Sequence, residues 1–129
     1  MTNALHQETV VNATPETVFK ALTDADAFAR MTGGAPAAID ATAGGAFSLL
    51  DGKIVGRTIE LVPDTRLVQA WRPGSWEDGV YSLVRIELEA AGDETRLTLD
   101  QTGIPDGQAE HLEGGWRAMY WEPLAAFLA

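Results

Sequence analysis

Hydrophobic and polar positions recur with two different spacings along this chain, and the change from one to the other outlines its elements. His6 to Asn12 reads as a short strand through its β-branched Val10 and Val11. Thr14-Pro15-Glu16 then places a capping hydroxyl, a proline at the first helical position and an acid in the first turn. The helix it opens runs for about two turns and carries Val18, Phe19 and Leu22 on its apolar face. Asp24 caps a second short helix with Phe28 and Met31 on one side, and Gly33-Gly34 ends it. From Ile39 onward short β segments alternate with turn residues. Ala46 to Leu50, Ile54 to Val62, Arg66 to Arg72 and Thr95 to Thr102 read as strands, with Asp51-Gly52 as a hairpin turn and Gly92-Asp93 as another. The clearest alternation lies between them, where Val84, Ile86 and Leu88 face one way and Arg85, Glu87 and Glu89 the other. One face of the sheet is dry and the other wet.

The chain closes on a helical period from Gln108 to Phe127, which at about 1.5 Å per residue spans roughly 30 Å. Leu112, Trp116, Met119, Tyr120, Pro123 and Phe127 fall on one stripe about 100° wide, the geometry of a helix laid on a sheet. Trp121, Leu124 and Leu128 lie off that stripe and are expected to pack on the short-helix pair through Phe19 and Leu22, or to join a homodimer. The predicted fold is α+β: a strand, two short helices, about six antiparallel strands and one long C-terminal helix that covers the apolar face of a curved sheet. A cavity between sheet and helix is the physical expectation of such a grip.

Composition narrows the function classes. The chain's 129 residues fit a single domain, 1–129, able to bury a core without staples. Without cysteine, disulfides, zinc thiolate sites and a cysteine nucleophile are excluded, and a cytoplasmic setting is expected. No leader pattern and no long apolar run is present. A net charge of −10 with scattered arginines argues against nucleic acid and anionic membranes and favours a partner with a basic face. Catalytic material is scarce: His6 and His111 are both expected in solvent, and Glu110, His111 and Glu113 point in different directions around their helix. Ser75 lacks the strand-turn-helix setting of a nucleophile elbow. No catalytic residue, metal or cofactor is therefore expected. Glu60 with Thr58, and Gln101 with Leu99, are expected to point toward the helix, either orienting a ligand or making a structural bond. Trp76 is expected to be an exposed aromatic at a sheet end, serving a partner surface or a pocket rim.

Several motifs occur in a family-like order: Gly44-Gly45-Ala46-Phe47, Asp51-Gly52, Gly56, Val62-Pro63, Arg66-Leu67-Val68 with Trp71-Arg72, Thr95-Arg96-Leu97, Thr102-Gly103-Ile104-Pro105 and Gly115-Trp116. In that order and spacing the chain resembles the activator-of-heat-shock-ninety-ATPase-like proteins of the START-related helix-grip superfamily, which includes the birch-pollen-allergen fold. The resemblance runs from about Ala4 to Phe127. Ser75-Trp76 with Gly79, and Gly115-Trp116-Arg117 with Tyr120, look like the C-terminal domain of the eukaryotic co-chaperone, for whose separate N-terminal domain 129 residues leave no room. The superfamily implies a small apolar ligand, lipid-like or aromatic, held between sheet and helix. The leading expectation is thus a non-enzymatic binding module, monomeric or homodimeric. Its pocket would be formed by Phe47, Leu49, Trp71, Val84, Ile86, Leu99, Trp116, Met119 and Tyr120, with Glu60 and Gln101 as polar positions. A chaperone-cofactor-like domain that binds a chaperone or another protein through its surface is the alternative. An enzyme using Glu60 or Gln101 on a small substrate comes third. A continuous apolar cavity above roughly 300 Å³ favours the ligand, and a filled core favours the surface.

Overall fold

The Thr14 hydroxyl accepts from the main-chain N–H of Thr17, and the Asp24 carboxylate from that of Ala27. These caps start α1 (Pro15–Thr23) and α2 (Ala25–Met31) where the sequence places them. In this computed structural model, which describes residues 3–129, the pair follows strand β1 (Leu5–Val11). Six more strands come next: β2 (Ala38–Ile39), β3 (Ala46–Leu49), β4 (Ile54–Val62), β5 (Arg66–Pro73), β6 (Ser82–Ala91) and β7 (Glu94–Thr102). They form one antiparallel sheet in the order β1-β7-β6-β5-β4-β3-β2. Its inner face is apolar because alternate residues of β6 and β7, among them Val84, Ile86, Leu97 and Leu99, are fully buried. The expected curved sheet gripping a C-terminal helix is the fold observed. Gly56 sits where β4 passes under the Phe47 ring. A Cβ there would lie 1.9 Å from the Ala70 carbonyl oxygen and 2.6 Å from the ring, so the two strands close only on glycine.

Two irregularities shift side chains away from their expected faces. A bulge between Thr58 and Glu60 adds one residue to β4, so that Thr58 opposes Gln69 while Glu60 opposes Val68. Thr58 is buried as expected, but Glu60 turns outward, where its carboxylate accepts from Arg66 at 2.5 Å. The second lies in the long helix, which is α3 (Ala109–Trp116), a π-helical turn (Arg117–Trp121) and α4 (Glu122–Phe127) in unbroken succession. A π turn inserts one residue into the helical period. The buried stripe therefore runs Leu112, Trp116, Tyr120 and then Trp121, Leu124, leaving Met119 42% and Phe127 38% exposed. Trp121 is buried against Trp116 and Gln7, and α4 meets the short-helix pair through α2.

Charged residues cross the wet face from strand to strand. His6 bonds Asp100 at 2.7 Å and Glu8 at 3.2 Å, Arg85 bonds Asp100 at 3.1 Å, and Arg66 bonds Glu60. Hydrogen bonds to Asp100 and then to Glu8 raise the pKa of His6 above its ordinary value, and the bond from His6 is the main cause that holds Asp100 low. The His6 contribution to stability is complete below about pH 6.5 and fades as pH rises through the folded value. That of Asp100 is present above about pH 3.9 and fades as pH falls. An NMR titration of the His6 ring is expected to give a midpoint above that of free histidine, moving back toward it in Asp100→Asn. A midpoint unchanged by that substitution would mean that the pair does not form in solution.

Candidate functional site

Inward alternation on β5 buries Leu67, Gln69 and Trp71, and the helix lays Trp116 over the last of these. Trp71 and Trp116 stack with centroids 5.1 Å apart and Trp116 and Trp121 with centroids 5.5 Å apart, while Tyr120 tilts against Trp116 at 4.2 Å. Trp76 meets Trp71 edge-on at 6.4 Å, so the chain's four tryptophans form one column.

Each polar handle of the buried rings in the column is matched. Trp116 Nε1 donates to Gln101 Oε1 at 2.8 Å, Gln101 Nε2 to Ser82 Oγ at 2.9 Å, and Ser82 Oγ to the Trp71 carbonyl at 2.7 Å. Trp71 Nε1 donates to the Tyr120 hydroxyl at 3.3 Å, and Trp121 Nε1 to Gln7 Oε1 at 2.7 Å. Burial pushes the Tyr120 hydroxyl far above its usual range, which keeps it neutral. Among the described residues no buried side-chain nitrogen or oxygen is without a partner. Gln101 is thus a structural bridge between sheet and helix.

The space left over is a cleft at one end of the grip, open on one side, with a volume of about 590 Å³. Trp71, Trp116, Met119 and Tyr120 line it. Phe47, Leu49, Val84, Ile86, Leu99 and Gln101 do not; they are 4% exposed or less and belong to the packed interior. Glu60 lies on the opposite, wet face. Trp76, from the loop after β5, stands at the rim, and residues that the periodicities missed complete the walls: Leu50, Lys53 and Ile54 from the β3–β4 hairpin and His111 from the start of α3. One signal could have found the three hairpin residues. Pairing of Ile54 with Pro73 sets the Asp51-Gly52 turn beside the Ser75-Trp76 loop at one sheet end, where the Gly74 N–H bonds the Lys53 carbonyl at 2.8 Å.

Trp76 is half-buried rather than exposed, because Arg72 ties its loop down. Arg72 is itself buried. Its Nε donates to the Val80 carbonyl at 3.0 Å and its Nη2 to the carbonyls of Trp76 and Glu77. Hydrogen bonds to a charged donor are worth about 1.5–3 kcal/mol. Arg72→Ala is expected to lower stability by an amount in about that range and to raise the accessibility of Trp76 to acrylamide. Unchanged quenching and melting would show that the loop holds without the clamp. Among the described residues no group of three or more His, Asp or Glu is arranged to hold a metal ion, and no helix is long and apolar enough to cross a membrane.

Compared with known proteins, residues 12–129 match the family described as Activator of Hsp90 ATPase homolog 1-like protein. Activator of 90 kDa heat shock protein ATPase homolog 1 from Homo sapiens is 32% identical over 108 residues, which is 84% of this chain and 32% of that protein. The chain thus spans about a third of the length of such relatives. The crystal structure of an HSP90 activator from Plasmodium falciparum superposes with a TM-score of 0.93 at 27% identity, covering 98% of this chain and 96% of that one. A Chromobacterium violaceum protein of known structure gives 0.79 at 29% identity, covering 99% and 98%.

Proposed function

This chain belongs to the family of Activator of Hsp90 ATPase homolog 1-like proteins, and from that premise we propose that it is a non-catalytic interaction domain that docks through its surface on a chaperone of the Hsp90 class. The observation that carries this reading is the filled centre of the grip. Val84, Ile86, Leu99, Gln101 and Trp116 are 2% exposed or less, and stacked rings occupy the volume that an enclosed ligand would need. With the interior taken, recognition is left to the outside. A net charge of −10 suits a basic patch on the partner, and a chain without cysteine suits the cytoplasm. The test is to add the purified chain to a purified Hsp90-class ATPase. Saturable binding with raised ATP turnover is expected. Absence of both at high micromolar concentrations would overturn the reading.

The cleft, whose volume of about 590 Å³ exceeds the roughly 300 Å³ of a ligand site but which is open on one side, favours a second reading, in which a flat or long-chain apolar ligand lies against Trp71, Trp76 and Met119. Such a ligand would quench tryptophan fluorescence with one-site saturation, and Met119→Glu, a change at an exposed position, would abolish the response without altering the fold.

A further inference from the structure

A second groove, of about 480 Å³, separates β1 from the C-terminal helix. His6, Gln7, Glu8 and Thr9 form one of its walls. Successive strand residues point to opposite faces, so a wall of four consecutive residues is the strand's edge, where main-chain N–H and C=O groups are presented. Strand β1 pairs with β7 on its other side. Among the described residues, the main chain of Leu5–Val11 makes no hydrogen bond beyond that pairing.

The two edges of the sheet are treated differently. Strand β2 ends the sheet with only two residues, which is one way to blunt an edge against pairing. Strand β1 ends it with seven, and beyond the charged side chains of His6 and Glu8 it has no proline, lysine or bulge to guard them. Facing this edge, the helix supplies an apolar floor from Trp121 and the small side chain of Ala125, which leaves room for an incoming chain.

We propose that this groove receives an extended segment of a partner protein, which adds to β1 as an eighth strand and carries a basic side chain toward Glu122. Main-chain pairing supplies affinity in such strand addition, and the groove-facing side chains supply selectivity. The basic residue follows from the charges. Arg117 is already paired with Glu113 at 3.3 Å, whereas Glu122 has no ion-pair partner among the described residues, in a chain of net charge −10. The proposal rests on the interaction reading above and gives that reading a surface.

The probe is a blocked heptapeptide of alternating valine and lysine, titrated into the full chain, with a glutamate-for-lysine peptide beside it. The expected result is slowed amide exchange and shifted resonances along Leu5–Val11 and at the Trp121 indole, with the lysine peptide bound more tightly. Ala125→Trp fills the groove from an exposed position and is expected to weaken the peptide about tenfold or more with an unchanged melting temperature. Glu122→Lys is expected to reverse the peptide preference. No protection at β1, shifts confined to other surfaces, or pairing of β1 with a second copy in place of the peptide would each overturn the proposal. The Hsp90-class partner separates the two levels. Chaperone binding that survives Ala125→Trp undiminished overturns the groove as the docking site and leaves the interaction reading standing. Peptide bound at β1 with no chaperone binding does the reverse.

Discussion

Trp116→Ala is expected to cost about 3 to 5 kcal/mol, the usual penalty for truncating a large buried aromatic to alanine. A small domain has roughly 5–15 kcal/mol in all, so the variant would fold marginally. Three losses combine. The indole is 2% exposed and contacts Trp71, Tyr120 and Trp121 at once, so its removal opens a cavity in the middle of the aromatic column. Gln101 Oε1 loses its donor while Gln101 remains fully buried, which adds the cost of an unsatisfied polar group. The helix also loses its bridge to β7. Trp116→Phe serves as the control, since it keeps most of the ring volume and gives up only the N–H. Chemical denaturation of both variants checks the assignment. A small change in Trp116→Ala would mean that the column is loosely packed.

Val84→Trp is expected to lower stability by about 1 to 3 kcal/mol or more through overpacking. Val84 is 0% exposed, opposes Gln69 on one neighbouring strand and Gln101 on the other, and points beneath the helix. A ligand cavity at this position would accept the added ring. A filled interior must push the helix off the sheet or force strained rotamers. The reduced melting temperature is the direct readout. A variant as stable as the parent would place empty volume beside Val84 and restore the enclosed-pocket reading.

Much of the architecture was legible because its signals are local. Thr14-Pro15-Glu16 and Asp24 carry their caps within a few residues, and the alternation from Val84 to Glu89 assigns faces without knowledge of the neighbours. Trp71, Trp116 and Tyr120 were legible as a group that meets between sheet and helix, and Gln101 as an inward position. What was lost came from insertions of a single residue. The bulge after Thr58 leaves no mark in composition, yet it reverses every later side chain of the strand and carries Glu60 to the wet face. The π turn has the same effect on the helix, advancing the stripe by one residue, so that Met119 and Phe127 yield to Trp121 and Leu124. Both rest on tertiary packing, since a helix or strand alone gains nothing from the irregularity. The hairpin side of the cleft was illegible for a related reason. Its walls at Leu50, Lys53 and Ile54 meet the Trp76 loop through strand register and through the Arg72 clamp, which join residues from separate loops. Nor does alternation reveal which strand ends the sheet, so the free edge of β1 entered only with the topology.

Native mass spectrometry of the chain isolated from its own cells tests the central claim most directly. A filled grip that acts through its surface is expected to appear at the mass of the 13.8 kDa polypeptide alone, and in a complex with an Hsp90-class chaperone when gently purified. A small apolar molecule retained in one-to-one ratio, with no chaperone complex, would contradict it and make the cleft a ligand site.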